Sequence, residues 1–140
     1  MDNPVSPKSI MLFENDLNLR QSIVLILQRV GYAVSATDCV DKAVQMLKGG
    51  DYHMLISDSN LPETSADLLP KVIQVFPDLP IVILTDQSSA EAERESKLFK
   101  AYYLFKPVAP EKLLDFVGSI LGRNNNSSHT DKQRLSVDRV

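Results

Sequence analysis

In the stretch HMLISDSNLP, residues 53–62, an apolar run stops at a carboxylate. Leu55 and Ile56 end the run, Asp58 follows, and Pro62 arrives four residues later. HMLIS (53–57) reads as a short buried strand, and Asn60 and Pro62 are turn formers. Asp58 taken alone suits a turn. It suits equally a nucleophile held at the mouth of a sheet, and the flanking sequence has to decide.

Working outward, the same alternation recurs. SIMLF (9–13) reads as a first strand, and residues 17–30 place Leu19, Ile23, Leu27 and Val30 at helical spacing. Gly31 suits the position just past that helix, where a left-handed residue closes the last turn. YAVSA (32–36) is a second strand. Thr37 or Asp38 is expected to cap the next helix, whose Val40, Ala43, Val44 and Leu47 share a face before Gly49-Gly50 ends it. A third helix is expected over about 66–76, a fourth strand over PIVILT (80–85), and a charged helix over about 89–99. AYYLF (101–105) is the fifth strand. Pro110 suits the first turn of a last helix, 110–121, with Leu113, Leu114, Val117 and Leu121 inward. Strands alternating with helices five times predict an α/β fold, a doubly wound five-stranded parallel sheet covered on both faces.

Composition fits one ordinary globular domain. The chain has 140 residues, 44% hydrophobic and 24% charged, a size that buries enough surface without staples. A single cysteine, Cys39, excludes an internal disulfide and a cysteine-based zinc site. The longest apolar run, Ile23 to Leu27, is too short to span a membrane, and the N-terminus lacks the order of a signal peptide, so a cytoplasmic location is expected. Residues 1–122 carry 11 Lys/Arg against 16 Asp/Glu, whereas residues 123–140 carry 4 against 2. A mildly acidic body argues against direct nucleic-acid binding. The expected organisation is an N-terminal extension (1–8), one domain (9–122) and a polar, disordered tail or linker (123–140).

In such a sheet, ligands bind beyond the carboxyl ends of the strands. That rule gathers Glu14, Asn15 and Asp16 after the first strand, and Asp58 after the third. It adds Thr85 and Asp86 after the fourth and Lys106 after the fifth. With these residues in order, the chain resembles a receiver domain of the two-component response-regulator family over about residues 8–122. The resemblance rests on the acidic cluster, the Asp-x-Asn-x-Pro stretch 58–62, Thr85, and Lys106-Pro107. It implies the flavodoxin-like (βα)5 receiver fold and a phosphoryl group accepted on Asp58 from a histidine kinase or phosphotransfer protein. The resulting switch of partners is signalling rather than enzymatic turnover. It also implies Mg²⁺ held by Asp58, the first-strand cluster (Glu14, Asn15) and the backbone carbonyl of Asn60. Lys106 would then meet one phosphoryl oxygen and Thr85 another. Tyr103 would be the switch aromatic, coupling the site to a surface of the 89–99 helix, the fifth strand and the last helix, through which a homodimer could form. Strand alternation sends Tyr102 to the opposite face. The Lys106-Pro107 bond is a candidate cis peptide.

Departures from the family pattern matter as much. Asn15 stands where a charged Mg²⁺ ligand is usual, so weak metal binding is expected. Asp16 comes one residue late and should point elsewhere unless the loop adjusts. Asp86 replaces a small residue and would either repel an anionic donor or supply the missing carboxylate; with Gln87 it is a possible modulator. Ala66 replaces a usual glycine, and Pro70 is tolerable only in a first helical turn. The span from Thr85 to Lys106 is about one residue short. A degenerate receiver, acting as a phosphorylation-independent interaction or dimerisation module, is therefore the alternative. A phosphatase of the haloacid dehalogenase type would want a second Asp at Asn60. A flavin carrier would want a Ser/Thr-Gly-rich loop, which residues 14–20 lack. Leu25, Ile26 and Val108 are candidate partner contacts.

Overall fold

The structure, a computed structural model, describes residues 7–59, 68–86 and 101–122. Five strands, β1 (Ser9–Phe13), β2 (Ala33–Thr37), β3 (Met54–Asp58), β4 (Ile81–Thr85) and β5 (Tyr102–Phe105), form one parallel sheet in the order β2-β1-β3-β4-β5. Four described helices accompany them: α1 (Leu17–Arg29), α2 (Val40–Gly49), α3 (Leu68–Val75) and α4 (Pro110–Leu121). The helix expected over about 89–99 lies outside the described residues, as do Asn60, Ala66, Gln87 and the 123–140 tail.

The sheet separates two apolar cores. Ile10, Leu12, Met54, Ile56, Val82, Leu84 and Leu104 face α1 and α4, which contribute Ile23, Leu27, Leu113, Phe116 and Val117. Met11, Phe13, Leu55, Ile81, Ile83 and Tyr103 face α2 and α3, which contribute Ala43, Leu47, Leu69 and Val72. Successive strand residues alternate between these cores, and β3 and β4 are buried along their full length. Near-continuous apolar runs are what a sheet covered on both faces requires. Tyr102 and Tyr103 divide as alternation demands: Tyr103 joins the α2/α3 side, while Tyr102 meets Phe116 edge to face at 5.9 Å.

Local chemistry sets the boundaries. Gly31, at φ +104°, follows α1, and its N–H donates to Gln28 O. Gly122, left-handed at φ 71°, closes α4, and Pro110 opens that helix. Pro70 lies within α3.

Three expectations need correction. The cap of α2 is neither Thr37 nor Asp38 but Cys39, which makes no side-chain cap bond. Thr37 is the buried last residue of β2, and its Oγ1 accepts from the Cys39 N–H. Val30 is 55% exposed, because it is the C-cap of α1 and leaves the helical path before reaching the inward face. Asp58 belongs to β3 rather than following it, paired in register with Leu84 of β4.

Candidate functional site

The order of the strands reverses between β1 and β3, since β2 lies to one side and β4 and β5 to the other. A crevice opens at the carboxyl ends of strands where such a reversal occurs. Glu14, immediately after β1, and Asp58, ending β3, flank that point. Register carries the same rim across the sheet: Asp58 pairs with Leu84, and Thr85 pairs with Phe105 just before Lys106. The Lys106 N–H donates to Thr85 O at 2.8 Å, which fixes where its side chain starts. The Lys106-Pro107 peptide is cis, as the sequence suggested.

At the centre, the Lys106 ammonium donates to Asp58 Oδ1 at 3.1 Å and lies 3.5 Å from Glu14 Oε1. Asp58 is 2% exposed and Glu14 fully buried. Burial costs an ammonium its charge, but the hydrogen bond and charge of Asp58, then Glu14, outweigh that cost and hold Lys106 above its ordinary value. Burial is also the main reason the Glu14 carboxyl is raised. A hydrogen bond from the Asp16 N–H opposes that rise, and the nearby Asp58 charge adds to it.

The loop between β1 and α1 is built from its own polar groups. Glu14 Oε2 accepts from the Asp16 N–H at 3.0 Å, and Asp16 Oδ2 accepts from Leu19 N–H at 2.7 Å. Asp16 is thus the N-cap of α1, with its carboxylate bonded to the first turn of the helix. The Asn15 N–H points at Asp58 Oδ2 at 3.4 Å, while Asn15 itself is exposed. Thr85 is fully buried, Tyr103 is 1% exposed, and Asp86 is exposed.

Glu14 Oε1 is buried and, among the described residues, ends no hydrogen bond; Lys106 reaches it only as an ion pair. A buried carboxylate oxygen beside a second carboxylate fits a hard cation that takes oxygen ligands. The charge available is small: no group of three or more His, Cys, Asp or Glu capable of holding a metal occurs among the described residues.

Arg20 was not singled out from the sequence. It lies one turn into α1, with Nη1 donating to Glu14 O at 2.8 Å and 3.9 Å from Asp38 Oδ2. A cation near a helix N-terminus runs against the macrodipole, and that is the signal that could have marked it.

Comparison with known proteins agrees with this geometry. The profile of the response regulator receiver domain matches residues 10–118. The transcriptional regulatory protein BasR of Escherichia coli is 31% identical over 124 residues, covering 87% of this chain and 56% of BasR. The DNA-binding transcriptional regulator NtrC of Bradyrhizobium is 30% identical over 115 residues, covering 81% of this chain and 24% of NtrC. The chain therefore spans about half or less of these relatives' length. Among solved structures, a putative response regulator from Chloroflexus aurantiacus superposes with a TM-score of 0.73 at 29% identity, covering 84% of this chain and 99% of that one. No described helix is long and apolar enough to cross a membrane. The doubly wound sheet, the acidic crevice at its switch point and these matches together place the chain in the response regulator receiver domain family, the signalling module of two-component systems.

Proposed function

We propose that Asp58 accepts a phosphoryl group from a histidine kinase or phosphotransfer protein, and that the modified domain then changes partners. The observation that carries this reading is a buried carboxylate at a strand end with an ammonium 3.1 Å away. The Asp58 carboxylate attacks phosphorus and forms an acyl phosphate O–P bond. The bond from phosphorus to the donor atom breaks, and its electron pair leaves with the donor. Lys106, freed from part of its ion pair, follows the charge onto a phosphoryl oxygen. Thr85 would donate a hydrogen bond to another, and Tyr103 would respond to the movement of Thr85 as a population shift between two states. Glu14, Asp58, the Asn15 amide oxygen and the Asn60 carbonyl would hold Mg²⁺. When bound, the ion supplies positive charge that offsets repulsion between carboxylate and donor. Its binding is weak, because Asn15 brings no charge.

The exposed Leu25 and the half-buried Ile26 and Val108 are the surface offered to the phosphoryl donor. Homodimers would form through β5, α4 and the segment before β5. The module acts in the cytoplasm on protein partners, in keeping with its acidic body. The domain occupies residues 9–122, and the remainder of the chain serves as extension and linker.

Trapping tests the assignment. After incubation with acetyl phosphate and Mg²⁺, borohydride reduction of an acyl phosphate on Asp58 yields homoserine at position 58 in the peptide map. Homoserine at another position sinks the assignment to Asp58, and none from the folded protein sinks it in favour of the degenerate interaction module.

A further inference from the structure

Arg20 reaches the site through one hydrogen bond and one peptide unit, a path that none of the roles above uses. Its guanidinium donates to the Glu14 carbonyl at 2.8 Å. The same peptide unit carries the Asn15 N–H, directed at Asp58 Oδ2 at 3.4 Å. In a trans peptide the carbonyl and the N–H lie in one rigid plane and point in opposite directions within it. Gripping the carbonyl therefore sets the direction of the N–H. The other end of this stretch is also fixed, since the Glu14 N–H donates to Thr37 O at 3.2 Å.

The ion pair with Asp38 does not explain why Arg20 lies here. That contact is 3.9 Å long, and the Asp38 side chain is 63% exposed, whereas the Arg20 side chain is 17% exposed. An exposed pair at that distance contributes little. A mostly buried guanidinium needs acceptors, and the described acceptor within good hydrogen-bond distance is Glu14 O. A charged donor on the carbonyl also polarises the peptide, which strengthens its N–H as a donor. Asn15 brings no side-chain charge, but its backbone N–H is directed at Asp58.

Resting on the phosphoacceptor reading of Asp58, we propose that Arg20 is a positioning residue: by holding the 14–15 peptide, it aims the Asn15 N–H at the Asp58 carboxylate and steadies that group for attack on an anionic phosphoryl donor.

The test pairs amide hydrogen exchange at Asn15 with the rate of phosphorylation by acetyl phosphate, in wild type, Arg20→Met, Arg20→Lys and Asp38→Asn. In Arg20→Met, exchange of the Asn15 amide should rise about threefold, the loss of one long hydrogen bond to Asp58. The Leu12 and Ile56 amides should keep their rates, and phosphorylation should slow by a similar factor. Asp38→Asn should change both readouts by less than about twofold. Arg20→Lys keeps the charge, so the two readouts should move together whether or not lysine reaches the carbonyl. An Asn15 amide unchanged in Arg20→Met overturns the proposal. So does an Arg20→Lys protein with wild-type rate but an unprotected Asn15, since charge alone would then suffice. If Arg20→Met does not fold, Arg20→Lys carries the comparison. Exchange needs no phosphoryl donor, so a wild type that is never phosphorylated sinks the phosphoacceptor reading while the amide comparison still decides the role of Arg20.

Discussion

Replacing Lys106 with methionine removes the ammonium that stands between two buried carboxylates. Its nitrogen lies 3.1 Å from Asp58 Oδ1 and 3.5 Å from Glu14 Oε1. At an effective dielectric constant of about 20, each contact is worth roughly 5 kcal/mol of gross attraction. Desolvation of the ammonium offsets several kcal/mol of this, and the side chain is still 20% exposed. What the variant loses is therefore about 3 kcal/mol, as for other buried pairs deprived of one partner. For a domain of this size that lowers Tm by about 10 °C in metal-free buffer. The lost ammonium also leaves Asp58 and Glu14 facing each other, a site with greater attraction for a divalent cation. Mg²⁺ at millimolar concentration should therefore raise Tm of Lys106→Met more than that of wild type. Thermal unfolding followed by circular dichroism, with and without Mg²⁺, reads both effects. A variant that melts within about 2 °C of wild type in metal-free buffer would refute the ion-pair account, since that shift is well under 1 kcal/mol.

Other expectations follow from the same geometry. Asn15→Asp should tighten Mg²⁺ binding about tenfold by adding a charged ligand at the rim, read by titrating tyrosine fluorescence. Glu14 has a folded-state value raised above the ordinary 4.5, so its favourable contribution is present below that value and lost as pH rises through the folded one. Glu14→Gln should accordingly melt higher than wild type at pH 7 without metal, and the gain should shrink toward pH 4; a gain that grows on acidification contradicts the sign. Asp86 is exposed, and among the described residues it belongs to no metal-capable group. Asp86→Ala should therefore speed phosphorylation by acetyl phosphate, by less than about threefold, and added salt should erase the difference.

The fold was legible because both faces of this sheet are buried. Runs such as PIVILT can be satisfied only between two helical layers, and the helical spacing of Ile23 with Leu27, or Leu113 with Val117, supplied those layers. Strand ends were less legible. Whether Thr37 closes β2 or caps α2 depends on its pairing with Phe13, which no local pattern reveals. Asp58, Lys106 and Glu14 could be placed at one rim because each stands next to a strand end. Their mutual distances come from the register between strands, a property of the sheet as a whole. Asp16 shows the converse: an acidic residue beside the site accepts from the Leu19 N–H, as its place before an apolar helix allows. Phe116 and Arg20 were missed for different reasons. Phe116 joins the core beside Leu113 and Val117 and meets Tyr102 of β5, a contact set by tertiary packing, and Arg20 acts through a backbone carbonyl that carries no side-chain signature.

The phosphoacceptor role of Asp58 is tested most directly by intact mass. Wild type and Asp58→Asn are incubated side by side with Mg²⁺ and acetyl phosphate, and folding of both is checked by circular dichroism. One added phosphoryl group on wild type and none on Asp58→Asn is the predicted result. An unmodified but folded wild type, or an Asp58→Asn protein that gains the same group, would contradict it.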